Sequence, residues 1–427
     1  MTKLPQDIEK RIFRTKAPER DASSDNSQVE ATVKSILANV AARGDAAVRE
    51  YSKTFDNSDL EVLEVTMAER DAAVAALDNQ TRADTQFAID NVTAFAKAQL
   101  GTILPLEVEI LPGVHLGHRV IPIERVGCYV PGGRYPLLSA PVMTIVPARV
   151  AGVKEVIACL PPNAHEAMIA GCHMSGADRI FRVGGAQAIA AMAWGTESIP
   201  KVDKIMGPGN AFVNEAKRQV FGPVGIDQLA GPSEIYTLAD ETGNPRMIAT
   251  DMLAQAEHDV RTRVGLITTD RALAEAVLVE IGRQLEDLST APVASAAWRD
   301  YGEIIVVPDE ATMIVVSDLI AAEHLQVHTK DAKTFALKLS SYGSIFIGEN
   351  ASVVYSDKCI GTNHTLPTMA AGRYTGGLWV GAYVKICTHQ WLEDDAIAQV
   401  AMPAIRQSAS EGLEGHRRAA AFRVEQN

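Results

Sequence analysis

The chain has 427 residues, 47% of them hydrophobic and 22% charged. That is an ordinary globular composition, long enough for two or three domains with substantial cores. A net charge of −13 excludes a broad electrostatic footprint for nucleic acid or an anionic membrane surface, so an anionic small substrate would need local Arg, Lys or His working against the mean field.

Residues 1–25 mix charges from the start (Lys3, Asp7, Glu9, Lys10, Arg11) and carry little pattern. They read as an arm, without the apolar run of a secretory signal. Asn26-Ser27 then opens a helical pattern through Val29, Val33, Ile36 and Leu37, ending near Gly44. Further helices run through Val74 and Leu77, and through Phe87, Ile89, Val92 and Phe95. Leu106–Ile110 and Arg119–Ile123 alternate like strands. Val126–Val130 is a short apolar run that breaks into Pro131-Gly132-Gly133-Arg134. Strands then alternate with helices: Glu155–Leu160, a helix near Ala167–Ser175, Arg179–Val183, the Gly184-Gly185 break and an Ala-rich helix. A second series begins near Ile235–Leu238 and includes Val264–Thr268, the helix Ala272–Leu285, Glu303–Val307, a helix ending at Glu323-His324, and Ser344–Ile347.

This rhythm predicts two α/β units built on parallel sheets. The expected division is an arm over 1–25, a discontinuous unit over 26–126 and 235–377, a second unit over 127–234, and a tail over 378–427. The tail is read as helical, charged and too poor in apolar surface for its own core. No stretch reaches the length of a membrane span. Five cysteines (Cys128, Cys159, Cys172, Cys359, Cys387) form no C-x-x-C pair. A disulfide framework or thiolate zinc site is not expected, and a reducing, cytoplasmic compartment is.

Chemistry concentrates at a few stretches. Asn244 is a good N-cap and Pro245 a good first helical residue. The helix they open would place Gln255 and His258, three residues apart, on one side. That pair is either half of a metal shell or a polar helix end with a solvated histidine. Asp357, in the long polar loop Tyr355–Tyr374, and His416, in the tail, would complete an N/O ligand set without thiolate, as suits a catalytic zinc with room for substrate. Glu323 and His324 are adjacent, able to serve two roles: a histidine carries protons and a carboxylate holds or activates water. Gly207-Pro208-Gly209-Asn210 opens a helix whose N–H groups could cradle phosphate, although Phe212 stands where a third glycine would complete the dinucleotide fingerprint. His115 and His118 either face a site or edge a sheet.

These stretches, with Gly127–Gly133, Val183–Gln187, Gly231–Glu234, Ala322–Leu325, Gly361–Thr368 and Glu411–His416, resemble the histidinol dehydrogenase family in order and spacing over nearly the whole chain. The resemblance implies two Rossmann-like domains with parallel sheets, and small helical N- and C-terminal dimerisation segments. It implies an NAD-linked, zinc-dependent homodimer that oxidises a primary alcohol to a carboxylate in two steps. By position it implies zinc at Gln255, His258, Asp357 and His416, and Glu323 and His324 as the catalytic pair. It assigns NAD to Tyr129, Gln187 and Asn210, within 127–234. Substrate falls to Ser233, His324 and Glu411 together with the metal set. The tail would cross to the partner subunit. Arg373–Gly381 and the segments flanking Tyr129 depart from the usual bacterial pattern. They are similar to the sulfopropanediol dehydrogenase branch, which implies 2,3-dihydroxypropane-1-sulfonate as substrate and 3-sulfolactate as product. Histidinol is the alternative substrate, and a non-catalytic metal-binding homologue or a metallohydrolase the alternative class.

Overall fold

The structure, a computed structural model, describes residues 4–19, 27–132 and 137–426. Asn26 and the stretch Gly133, Arg134, Tyr135 and Pro136 lie outside them.

After a single helical turn, Gln6–Glu9, the described chain forms β1 (Phe13–Lys16), passes through helices Ser27–Arg43, Asp45–Asp56, Met67–Ala76 and Asn79–Leu100, and forms the antiparallel pair β2 (Leu106–Leu111) and β3 (Val114–Pro122). A parallel sheet follows, from β4 (Arg125–Tyr129), β5 (Glu155–Leu160), β6 (Arg179–Arg182), β7 (Lys204–Met206) and β8 (Gly225–Ile226). Its strand order is β6-β5-β4-β7-β8. The strands are rich in Val and Ile and buried on both faces, as helix-covered parallel strands must be. One face packs Ile157, Phe181 and Ile205 against Val33, Ile36 and Val48 of the helices Ser27–Arg43 and Asp45–Asp56. The other packs Val126 and Val156 against Ile145, Ile169 and Tyr383.

The second sheet contains β9 (Glu234–Ala239), β10 (Arg263–Thr268), β11 (Glu303–Val306), β12 (His324–His328) and β13 (Ser344–Ile347). These run parallel, and β1 adds an antiparallel edge, giving the order β1-β11-β10-β9-β12-β13. The parallel strands repeat the pattern of the first sheet: the chain starts in the middle, moves outward one way, then crosses back. The tail contributes β14 (Val384–Leu392), which pairs antiparallel with β3, before the helices Ile397–Ser410 and Glu414–Glu425.

Several expectations change. Residues 13–16 are an edge strand, not part of a free arm. The helices Ser27–Arg43 and Asp45–Asp56, expected with the second sheet's unit, share a core with the first sheet. The tail is not wholly helical, because the β-favouring run Val384–Leu392 finds a long partner in β3. Glu323-His324 do not end a helix. The helix Glu310–Ile320 stops at Ala321, which takes a left-handed conformation, and His324 opens β12 between β9 and β13. Asp357 lies in a short helix, Val353–Lys358, rather than in an irregular loop. His258 lies just past its helix, which ends at Ala256. His115 and His118 sit on β3, the middle strand of the antiparallel sheet, where His115 stacks on Trp391 with ring centroids 3.7 Å apart.

Candidate active site

The amino ends of β9 and β12 lie side by side, with His324 in register with Ile235. His324 is 2% exposed. Its Nδ1 is 2.9 Å from the Glu234 carbonyl oxygen, and the Glu234 N–H donates to Glu323 Oε2 at 2.8 Å. One backbone residue thus holds both members of the pair. Glu323 Oε2 also lies 3.4 Å from His324 Nδ1. The other ring nitrogen, Nε2, is buried and has no protein partner. A buried unpaired nitrogen is costly, so this one calls for a functional explanation. Burial opposes charge on this imidazole, but Glu323, with Asp357 and the Glu234 carbonyl, carries its pKa up to about 9. Ser233 immediately precedes Glu234, its carbonyl fixed by the Arg263 N–H at 2.9 Å.

Beside this edge, Gln255, His258 and Asp357 line one cavity of about 60 Å³, together with Asp251, Glu257 and Ser352. The helix start is as expected: the Asn244 side chain accepts from the N–H groups of Arg246 and Met247. The helix follows β9 and runs back, so its end returns Gln255 to the amino edge of the sheet. Among the described residues no group of three or more His, Cys, Asp or Glu is arranged to hold a metal. The cavity instead offers the His258 imidazole, the Gln255 carboxamide and the carboxylates of Asp357, Asp251 and Glu257, donors of the N/O type that zinc accepts.

His364, within the Gly361–Thr368 stretch, belongs to this neighbourhood. Its Nε2 is enclosed without a partner. Burial pushes its pKa down, Asp357 acts in the opposite direction, and His324 adds to the depression. Asn363 anchors the turn, donating to the Met143 carbonyl at 2.7 Å and accepting from the Thr365 N–H at 2.9 Å. A histidine inside a long polar loop was the available signal.

The second expected cluster lies at the carboxyl ends of the first sheet. Tyr129 ends β4, and its hydroxyl accepts from the Gly185 N–H at 3.1 Å. Burial pushes that phenol up to about 12, which keeps it neutral. Gln187 is buried and donates to Asp56 at 3.1 Å. Burial raises the Asp56 pKa, and the bond from Gln187 works against that. Gly207 follows β7 with φ of +112°, and a Cβ there would fall 2.2 Å from the Tyr129 carbonyl oxygen. Asn210 caps the helix Ala211–Val220, accepting from the N–H groups of Phe212 and Val213. Tyr129 and this turn flank the point where the strand order reverses, between β4 and β7. Ligands of open α/β sheets bind in that crevice.

Glu411 and His416 are exposed and join neither cluster. The helix that carries His416 buries no residue at all.

The histidinol dehydrogenase profile matches residues 19–424. The chain belongs to the histidinol dehydrogenase family. It is 47% identical to a histidinol dehydrogenase homolog of Shouchella clausii, covering 95% of this chain and 96% of that one. It is 44% identical to a sulfopropanediol 3-dehydrogenase of Ruegeria pomeroyi, over 94% of each chain. The crystal structure of histidinol dehydrogenase from Elizabethkingia anophelis superposes with a TM-score of 0.90 at 33% identity, covering 95% and 94% of the two chains. The family is one of NAD-dependent dehydrogenases, and the mixed α/β fold with parallel sheets agrees with that structure. No helix among the described residues is long and apolar enough to cross a membrane.

Proposed function

We propose that this protein is a zinc-dependent, cytoplasmic dehydrogenase that oxidises 2,3-dihydroxypropane-1-sulfonate to 3-sulfolactate in two NAD-linked steps. The observation that carries the chemistry is His324: Nδ1 anchored on a main-chain carbonyl, Nε2 buried and unclaimed, with Asp357 of the N/O cavity close enough to act on its charge. The likeness to the Ruegeria enzyme supports the choice of substrate.

In this reading Gln255, His258 and Asp357 hold zinc together with His416 of the partner subunit. Bound there, zinc would supply Lewis acidity toward the reacting alcohol. Ser233 and Glu411 contact the substrate alongside these residues. His324 takes the alcohol proton at Nε2, and NAD, held near Tyr129, Gln187 and Asn210, is the oxidant. Glu323 then orients and activates the water that attacks the aldehyde, and His324, having released its first proton to solvent, takes the proton of the hydrate as the second hydride passes to a second NAD. Charge on Asp357 is one of the groups that raise the His324 pKa. Committing that carboxylate to a cation lowers the proton affinity of His324 and favours its action as a base.

The exposed Glu411 and His416, on helices with little buried surface, support a homodimer whose sites are completed by exchanged tails. Sedimentation that finds only monomer in the active enzyme would exclude that arrangement. The substrate is tested by NADH production with the sulfonate diol and with L-histidinol, side by side. We expect two NADH per sulfonate diol consumed. Turnover of histidinol alone would assign the enzyme to histidinol oxidation instead.

A further inference from the structure

Beneath the cofactor crevice lies an ion pair that the reaction does not use. Lys217, on the helix Ala211–Val220, and Asp227, just after β8, pair directly with side chains 1% and 2% exposed. Burying two such charges is expensive, and a buried pair is weak evidence for stability, because apolar residues of similar volume commonly do as well or better. What distinguishes this pair is the backbone between its members. Lys217 Nζ donates to the Gly207 carbonyl at 2.9 Å, and Asp227 Oδ2 accepts from the Gly207 N–H at 2.7 Å. Both polar groups of one glycine are therefore held by charged partners, the stronger class of hydrogen bond. Asp227 is itself fixed: its N–H donates to the Ile205 carbonyl at 3.1 Å, and Oδ1 accepts from the Gln228 N–H at 2.7 Å.

We propose that Lys217 and Asp227 are positioning residues for the cofactor, a buried clamp that sets the Gly207–Asn210 turn at the β4/β7 crevice. Gly207 sits in a left-handed conformation directly against the Tyr129 carbonyl. A turn of this shape has alternatives once its peptide groups are released to water, and few while both are pinned. Asn214 steadies the far side, donating to the Gly209 carbonyl at 3.2 Å. The clamp touches no cofactor atom. It fixes in advance where the main chain of the turn and the side chain of Asn210 stand, so that binding does not have to order them.

The inference rests on the assignment of NAD to this crevice, and the test separates the two. NADH affinity is measured by fluorescence titration of the purified, zinc-loaded dimer, with zinc content and melting temperature followed in parallel. Lys217→Met should weaken NADH by about 10- to 100-fold, the range typical when orienting groups behind a ligand shell are removed, and keep its zinc. It should also melt earlier, since Asp227 is left buried and uncompensated. The double variant Lys217→Met/Asp227→Leu removes both charges. It should recover melting temperature yet remain weak for NADH. Parental NADH affinity in the double variant would make the pair a structural element only and overturn the proposal. If the double variant does not fold, Asp227→Ala decides. It takes away the acceptor for the Gly207 N–H, and parental affinity there overturns the clamp equally. A parent enzyme that binds no NADH overturns the cofactor assignment, and the clamp's role with it. Parental binding that survives in the variants overturns the clamp alone.

Discussion

In the five-stranded sheet, Tyr129 and the Gly207 turn stand at the carboxyl ends of β4 and β7. In the second sheet, Ser233, Glu323 and His324 stand at the amino ends of β9 and β12. Both sheets reverse direction between the corresponding strands, so the topological rule that places ligands at carboxyl ends describes one and not the other. The connection explains the difference. Residues 227–233 lead from the end of β8 straight to the start of β9, which brings the carboxyl edge of one sheet to the amino edge of the next. The Gly231 N–H, donating to Thr368 Oγ1, ties that connection to the loop after Asp357. A reaction needing an oxidant on one side and a base with a metal on the other can use the seam.

If that division of labour is right, losses on one side should leave the other intact. The largest effect should come from the metal cavity. His258→Ala and Asp357→Ala remove proposed ligands, so each should lose zinc and activity together while NADH titration stays near the parent. Full zinc content by elemental analysis in both variants would remove these residues from the shell.

Next in size is the base. His324→Asn should slow both oxidation steps by about 10²–10⁴-fold, the usual worth of a positioned proton acceptor, with zinc and NADH binding retained. Glu323→Gln should slow chiefly the aldehyde step. Supplying the aldehyde directly separates the steps; parental aldehyde oxidation by Glu323→Gln, with failure on the alcohol, would contradict the water-activating role.

On the opposite side, Gly207→Ala should act on the cofactor alone. Its Cβ would collide with the Tyr129 carbonyl at 2.2 Å, on a backbone with φ of +112°. A cost of about 1–3 kcal/mol is expected for such strain. NADH binding should weaken while zinc content holds. If zinc falls in step with NADH affinity, the two edges are one cooperative unit and the comparison fails.

How much of this was visible beforehand depends on range. The helix from Pro245 was legible because its cap and first turn are local, and so was the βαβ rhythm of both sheets. The strand that His324 opens was not. Ala321 and Ala322 extend an apolar helical pattern, and only pairing with β9 and β13 makes the next residues extended. Val384–Leu392 was missed for the same reason, since its partner β3 lies far back in the chain. Spacing could suggest Gln255 with His258 but not Asp357 beside them. That convergence depends on the short helix Val353–Lys358 returning to the cavity. The resemblance to a known family supplied what spacing could not.

The smallest effect concerns acid, and it should distinguish the two sheets by sign. Glu69 completes a capping box with Thr66 and bonds Arg182 at the end of β6. Those bonds, from Thr66 first, hold its pKa down to about 2. With the folded value below the unfolded one, its contribution is present above the ordinary carboxylate range and is lost as pH falls through about 2. Glu234, at the start of β9, is the reverse: burial raises its pKa, although Arg263 opposes the rise. Its contribution is therefore greatest below the ordinary range and declines as pH rises through the raised value. Because the Glu69 side chain is 43% exposed, solvent screening limits its worth to about 1 kcal/mol or less. Glu69→Gln should lower the melting temperature by about 1–2 °C at neutral pH, and the deficit should shrink steadily between pH 4 and pH 2. Calorimetric scans of parent and variant across that range give the answer. A deficit that stays constant with pH would mean that the carboxylate's charge contributes nothing there and that the capping geometry alone accounts for the loss.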